Sequence, residues 1–183
     1  MDRVKILNNN KVLKIVSILI LGSLLLTISA KIKIPFYPVP MTMQTFVVIF
    51  LGLAFGSKLA TATVGLYLIE GLIGLPVFSN SPEKGVGLVY FTGPTMGYLI
   101  GFLVASFLAG YMNFKENIFF IFIKLILAVS TIYIFGILWL GYLIGWDKPI
   151  LQLGVMPFLL AELFKISLLT LIAKKITILK KFI

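Results

Sequence analysis

Two ionisable residues three positions apart, Glu162 and Lys165, lie inside the apolar stretch MPFLLAELFKISLLTLIA. That spacing puts both on one face of a helix. Charges within an apolar span are costly and are kept where they bind, carry or pair something. A lysine there offers a point charge to a small carboxylate, with the glutamate orienting and neutralising it. The alternative is a structural ion pair that joins helices. A third acid, Glu70, is embedded in LATATVGLYLIEGL, where a lysine or the headgroup region would satisfy it equally well. Neutral polar candidates are Gln44, Asn80, Thr92 and Tyr98. An amide carries donor and acceptor together and suits a urea-like or amide-like ligand, although a loop asparagine is also an ordinary turn residue. Phe36, Tyr37, Phe78, Tyr90 and Phe91 are available to wall an apolar pocket, or to pack at a bilayer interface.

Other chemistries are poorly provided for. The sequence has no Cys and no His, so thiol chemistry is excluded and a zinc or redox-metal site is not expected. No GxxxxGK[ST] phosphate loop and no GxSxG elbow occurs. The reading is therefore of a protein that is not an enzyme and needs no cofactor. If it moves a solute uphill, another chain or an ion gradient supplies the energy.

The elements that must hold these residues are membrane spans. Of 183 residues, 60% are hydrophobic and 12% charged, and the mean hydropathy is +1.12. A soluble domain of this size cannot hide so much apolar surface. The net charge of +10 does not point to nucleic acid, because the basic residues cluster at the two ends without a patch of interleaved aromatics. A polar start at 1–10 precedes six predicted helices, at about 11–30, 45–55, 59–75, 94–112, 118–140 and 155–173, in one integral membrane domain, 1–183. The first lacks a small-x-small cleavage pattern and is expected to be retained. Gly56 marks a turn between the second and third, and 113–117 a turn before the fifth. Gly93, Gly97, Gly101 and Gly110 give the fourth closely packable faces. Residues 141–154 read as a loop.

Two polar interruptions remain, 31–44 and 76–92. The first, KIKIPFYPVPMTMQ, has Pro35, Pro38 and Pro40 within six residues. Proline removes donors and disfavours helix in the residue before it, so this segment is extended or irregular. The second is framed by aromatic residues in the manner of a binding loop, not a plain connector. With the termini inside, cytoplasmic segments hold ten Lys/Arg and the outer loops four (Lys31, Lys33, Lys84 and Lys148). That asymmetry favours cytoplasmic termini and puts both long loops outside. Glu162 then sits roughly 12 Å below the outer end of its helix at 1.5 Å per residue.

At these same loops, IPFYPVPMTMQT (34–45), GLIGLPVFSN (71–80) and GPTMGYLIGF (93–102) resemble the BioY family, the biotin-specific substrate-binding subunits of energy-coupling-factor transporters. The similarity runs in order from about Ala30 to Met112 and returns at MPFLLAELFK (156–165). It implies a multi-pass protein of the bacterial cell membrane that captures biotin from outside. It also implies a transmembrane coupling subunit and two ATPase subunits as partners, although some members have been proposed to act without them. Matched motif by motif, Gln44 falls in the first loop closing the pocket, Asn80 where the family contacts the ureido ring, and Tyr98 beside the pocket. Glu162 and Lys165 fall on an acid and a lysine associated with the ligand's carboxylate. This chain has Leu160-Ala161-Glu162 where Pro-Gly-Asp is usual, and only Ser17, Gly22, Ser23 and Thr27 as small residues where the first helix is expected to carry Ala-x-x-x-Ala. It also carries an inserted Ser-Pro-Glu-Lys at 81–84. A subunit for another vitamin, or a membrane scaffold with a structural Glu-Lys pair, are the alternatives.

Overall fold

A computed structural model describes residues 2–182, with side chains described over 11–180; Arg3, Lys5 and Lys181, counted above among the flanking cations, have side chains outside that range. The chain is mostly helical. Helix α1 spans Asp2–Lys31, α2 Gln44–Leu72, α3 Leu88–Phe91, α4 Met96–Tyr111, α5 Ile118–Ile144, α6 Ile150–Gly154 and α7 Leu159–Ile176. A 3-10 turn, Met156–Phe158, leads into α7, and a second, Thr177–Phe182, follows it. Four segments, Lys11–Lys31, Gln44–Leu72, Ile118–Ile144 and Ile150–Lys180, are long and apolar enough to cross a membrane. Their outward faces carry exposed Leu13, Leu21, Leu127, Leu160 and Leu171, a surface that only lipid or another apolar partner satisfies.

Several boundaries differ from those expected. The segment 2–10 is not a polar lead but continuous with α1. The third predicted helix stops at Leu72, not at 75, and Gly74, with φ of +101°, follows it in a conformation natural to glycine. The central loop contains the one-turn α3, α5 runs on to Ile144, and 150–154 is helical instead of loop. The fold is also not wholly helical. Lys33–Ile34 (β1) and Met41–Thr42 (β2) pair antiparallel, Lys33 opposite Thr42 and Ile34 opposite Met41, and the proline-rich segment forms the tip of that hairpin.

Helix α2 is two helical arms joined at a sharp reversal. Gly56 has φ of +79°, in the left-handed region that glycine enters without a Cβ clash. A straight helix would put Gln44 and Tyr67 roughly 34 Å apart at 1.5 Å per residue, yet the Gln44 amide donates to the Tyr67 hydroxyl at 2.8 Å. The arms, 44–55 and 57–72, therefore fold back on one another. Helix α4 packs against both. A Cβ on Gly52 would stand 2.8 Å from the Ser106 carbonyl oxygen, and one on Gly110 would stand 2.2 Å from the Ser57 nitrogen. On another face of α4, Cβ atoms at Gly97 and Gly101 would meet the backbone of α5 at Phe135 and Ile132. Small residues at helix contacts let backbones approach this closely. The core between them holds Ile49, Leu53, Phe102, Ala105, Leu125 and Ile132.

Gly110 thus has no room for a methyl group, because the neighbour is backbone at the α2 reversal. Gly110→Ala should destabilise the protein by about 1–3 kcal/mol or more, read as a lower Tm and reduced monodisperse yield in detergent. Gly65→Ala, where a Cβ would meet nothing within 4 Å, should leave both unchanged.

Candidate ligand-binding site

At the end of the bundle where the two loops meet lies a tight cavity that opens to solvent, with about 50 Å³ of water-accessible space. Its walls come from the first loop and α2 (Val39–Thr42, Gln44, Thr45), the central loop (Phe78, Ser79, Tyr90), α4 with the residue before it (Thr95, Tyr98, Leu99, Phe102), α5 (Ile132, Tyr133) and the start of the last helical segment (Phe158, Glu162). Aromatic rings predominate and interlock. Phe78 stacks on Tyr90 with centroids 4.6 Å apart, and Tyr67 meets Phe78 edge-on at 5.3 Å. Tyr98 meets Tyr133 at 6.1 Å and Phe158 packs on Tyr133 at 6.2 Å. Such arrangements fix ring orientation as well as burying area.

Polar groups converge from two directions. On one side, the Gln44 amide nitrogen donates to Tyr67, whose hydroxyl donates to the Val77 carbonyl at 3.2 Å. The Thr42 hydroxyl lies 3.3 Å from the Gln44 amide oxygen. On the other, Lys165 and Glu162 form an ion pair at 2.7 Å within one turn of α7, both at most 5% exposed. Thr45 donates to Glu162 Oε1 at 2.8 Å and accepts from Lys165 Nζ at 3.0 Å. The third lysine proton goes to the Thr42 carbonyl at 2.6 Å, so all three ammonium donors have acceptors. Glu162 Oε2, by contrast, is the buried side-chain oxygen with no partner among the described residues, on a residue that lines the cavity.

The candidates from sequence fall out unevenly. Gln44, Tyr98 and Glu162 line the cavity, whereas Lys165 stands behind Glu162. The Tyr98 hydroxyl is spent on the Gly154 carbonyl at 2.8 Å, so its ring is what faces the ligand space. Asn80 is adjacent to the wall residue Ser79 but is not itself in the wall. Its side-chain oxygen accepts from Lys33 at 3.1 Å. Glu70 accepts from Ser23 of α1 and does not line the cavity. Thr92 is exposed and bonds back to Val89. Of the aromatic candidates, Phe78 and Tyr90 form walls, Phe36 packs edge-on against Phe158 at 6.0 Å, and Tyr37 is exposed.

Thr45, Tyr67, Tyr133 and Phe158 escaped the sequence reading. Tyr133 did carry a signal: a phenol midway along a 27-residue apolar helix needs a polar neighbour far from either interface. Thr45 carried none, because its partners lie 117 and 120 residues away.

The arrangement resembles known proteins throughout its length. Residues 4–181 match the model of the BioY family. A probable biotin transporter BioY of Pyrococcus horikoshii is 34% identical over 163 residues, covering 89% of this chain and 96% of the relative. The biotin transporter BioY of Thermotoga maritima is 33% identical, covering 83% and 89%. Among solved structures, the S-component for biotin from an ECF-type ABC transporter superposes with a TM-score of 0.76 at 28% identity, covering 91% of this chain and 92% of that one. The family match over 4–181, with relatives 34% and 33% identical along most of both chains, places this chain in the BioY family, a family of transporter components and not of enzymes.

Proposed function

We propose that the chain captures biotin outside the cell and serves as the substrate-binding subunit of its uptake system. A transmembrane coupling subunit and two ATPase subunits would supply the energy that this sequence, lacking a phosphate loop, cannot. The observation that carries the reading is the cavity itself. Biotin presents an apolar fused ring and aliphatic chain, a urea and a carboxylate. The cavity offers aromatic walls, the Gln44 amide and the Glu162–Lys165 pair. Relatives named as biotin transporters and the biotin S-component structure support the same ligand.

In this reading Gln44 serves the urea, Tyr98 the ring wall, and Glu162, with Lys165 behind it, the carboxylate end; Asn80, outside the wall and bonded to Lys33, would join Gln44 at the urea only by turning inward. The whole chain, 1–183, acts as one membrane unit of the bacterial plasma membrane. Its six crossings are α1, the two arms of α2, α4, α5 and α7, with both termini cytoplasmic. The reversal at Gly56 supports six in place of the four long segments, and the charge asymmetry supports the orientation.

Calorimetry on the purified wild type should show tight, saturable binding of biotin that thiamine, riboflavin and pantothenate do not compete away. A folded, biotin-free protein that takes up none would sink the assignment. Lys165→Ala should lose most of that affinity. It also strands the Glu162 charge in a buried site, which is destabilising in itself. The paired replacement Glu162→Gln with Lys165→Met leaves no orphan charge. It should keep a near-native Tm and bind biotin at least about tenfold more weakly; unchanged affinity would make the pair a helix staple only. Thr45→Val, which removes the bridge between the two charges, should lower stability by about 1–3 kcal/mol, measured as a drop in Tm without ligand.

A further inference from the structure

The Gln44–Tyr67–Val77 chain has a property that the cavity walls alone do not reveal. Tyr67 is fully buried and does not line the cavity, yet its hydroxyl joins two elements that do. A phenol has one proton. The Val77 carbonyl, 3.2 Å away, can only accept, so that proton is committed to it. The Tyr67 oxygen must then accept from Gln44, and of the two ends of the amide only the nitrogen can donate. The bond at 2.8 Å is therefore an NH₂ pointing at Tyr67, and the amide oxygen is turned to the Thr42 side. Without Tyr67 the two ends of the amide are nearly equivalent in shape, and it is free to flip.

From this geometry we infer that Tyr67 is a positioning residue for the ligand: through one ordered proton it fixes which end of the Gln44 amide is donor and which is acceptor toward the cavity. The amide keeps one N–H and one carbonyl lone pair beyond those bonds, a complementary pair for a ligand that presents a donor and an acceptor side by side. The inference rests on the biotin reading of the cavity, since a urea is such a ligand. The ring of Tyr67 has a separate part, packing edge-on against Phe78, and a phenylalanine retains it.

The test is a double-mutant cycle on the full-length protein in detergent, with biotin binding read by calorimetry. Tyr67→Phe should weaken binding about tenfold and Gln44→Ala at least as much. Because Tyr67 acts through Gln44, the double variant should bind no more than about twofold more weakly than Gln44→Ala alone. A residue that merely supports the loop would instead multiply the two losses, and that result overturns the inference, as does wild-type affinity in Tyr67→Phe. Should Tyr67→Phe not yield folded protein, Gln44→Glu decides. Its head has no N–H for Tyr67, so the proton order must reverse at the expense of Val77, and an unchanged affinity overturns the inference. A wild type that binds no biotin removes the reading beneath it, and does so before any variant is compared.

Discussion

In hydrocarbon, every polar group must find its partner inside the protein, and the buried side chains among the described residues obey that constraint with one exception. Hydroxyls along the spans fold back onto their own helix: Thr63 to Leu59, Ser106 to Leu103, Thr131 to Ala128, Thr170 to Ile166. Glu70 accepts from Ser23 on the neighbouring helix. Lys165 places all three protons. Against that background Glu162 Oε2, buried and without a partner among the described residues, is informative because it is the exception. It belongs to a residue of the cavity wall. Unpartnered acceptors are costly in a low-dielectric interior, and here that cost is carried at the cavity wall, where a hydrogen-bond donor has something to offset.

The same constraint explains how the fold builds that place. Helices that satisfy their own backbone can approach without intervening polar bridges, and glycine sets how closely. The Gly56 reversal returns the second arm of α2 alongside the first, so that Gln44, at the start of one arm, meets Tyr67, near the end of the other. Helix α4 fills the angle between the reversal and α5 through Gly110, Gly97 and Gly101. The cavity lies at the far end from the reversal, where the arms, α4, α5 and α7 present Thr45, Tyr98, Tyr133 and Glu162 to a common space. Trp139 donates to the Gly93 carbonyl at 2.8 Å and Tyr98 to that of Gly154, so the segments leading into α4 and α7 are fixed by bonds that leave the ligand space free.

Sequence carried the parts of this that depend on composition and local pattern. Apolar runs give spans, Gly56 is legible as a turn, and the proline cluster is legible as irregular backbone. Gln44, Tyr98 and Glu162 were legible as site candidates because polar or amphipathic groups flanking apolar helices are few. What was not legible depends on partners remote in the chain. Nothing near Thr45 indicates that its hydroxyl will stand between Lys165 and Glu162, and nothing near Tyr67 distinguishes it from a packing aromatic. The short strands were invisible for a different reason: two residues on each side are below the length at which alternation can register. Helix ends moved because the apolar pattern fades gradually, whereas α2 stops at Leu72, just before Gly74 turns the chain with φ of +101°, and Gly71 leaves room for the Phe78 ring to pack there.

The lysines of the two loops show how a rule about charge can hide a structural role. Counted for topology, Lys31, Lys33 and Lys84 are exceptions on the sparsely basic side. In the fold they join the two loops. Lys31 donates to the carbonyls of Phe78 and Ser81, each at 2.7 Å. Lys33 donates to the Ser79 carbonyl at 2.6 Å and to Asn80, and Lys84 sits 5.6 Å from the ring centroid of Tyr37. Carbonyls at a tight turn converge with their negative ends outward, and an ammonium with three donors satisfies several of them at once. The backbone of the wall residues Phe78 and Ser79 is therefore held from outside by cations of the first loop, while the Phe78 ring is held from inside by Tyr67 and Tyr90. A loop rich enough in polar backbone to need water is in this way made firm enough to serve as the wall of an apolar cavity.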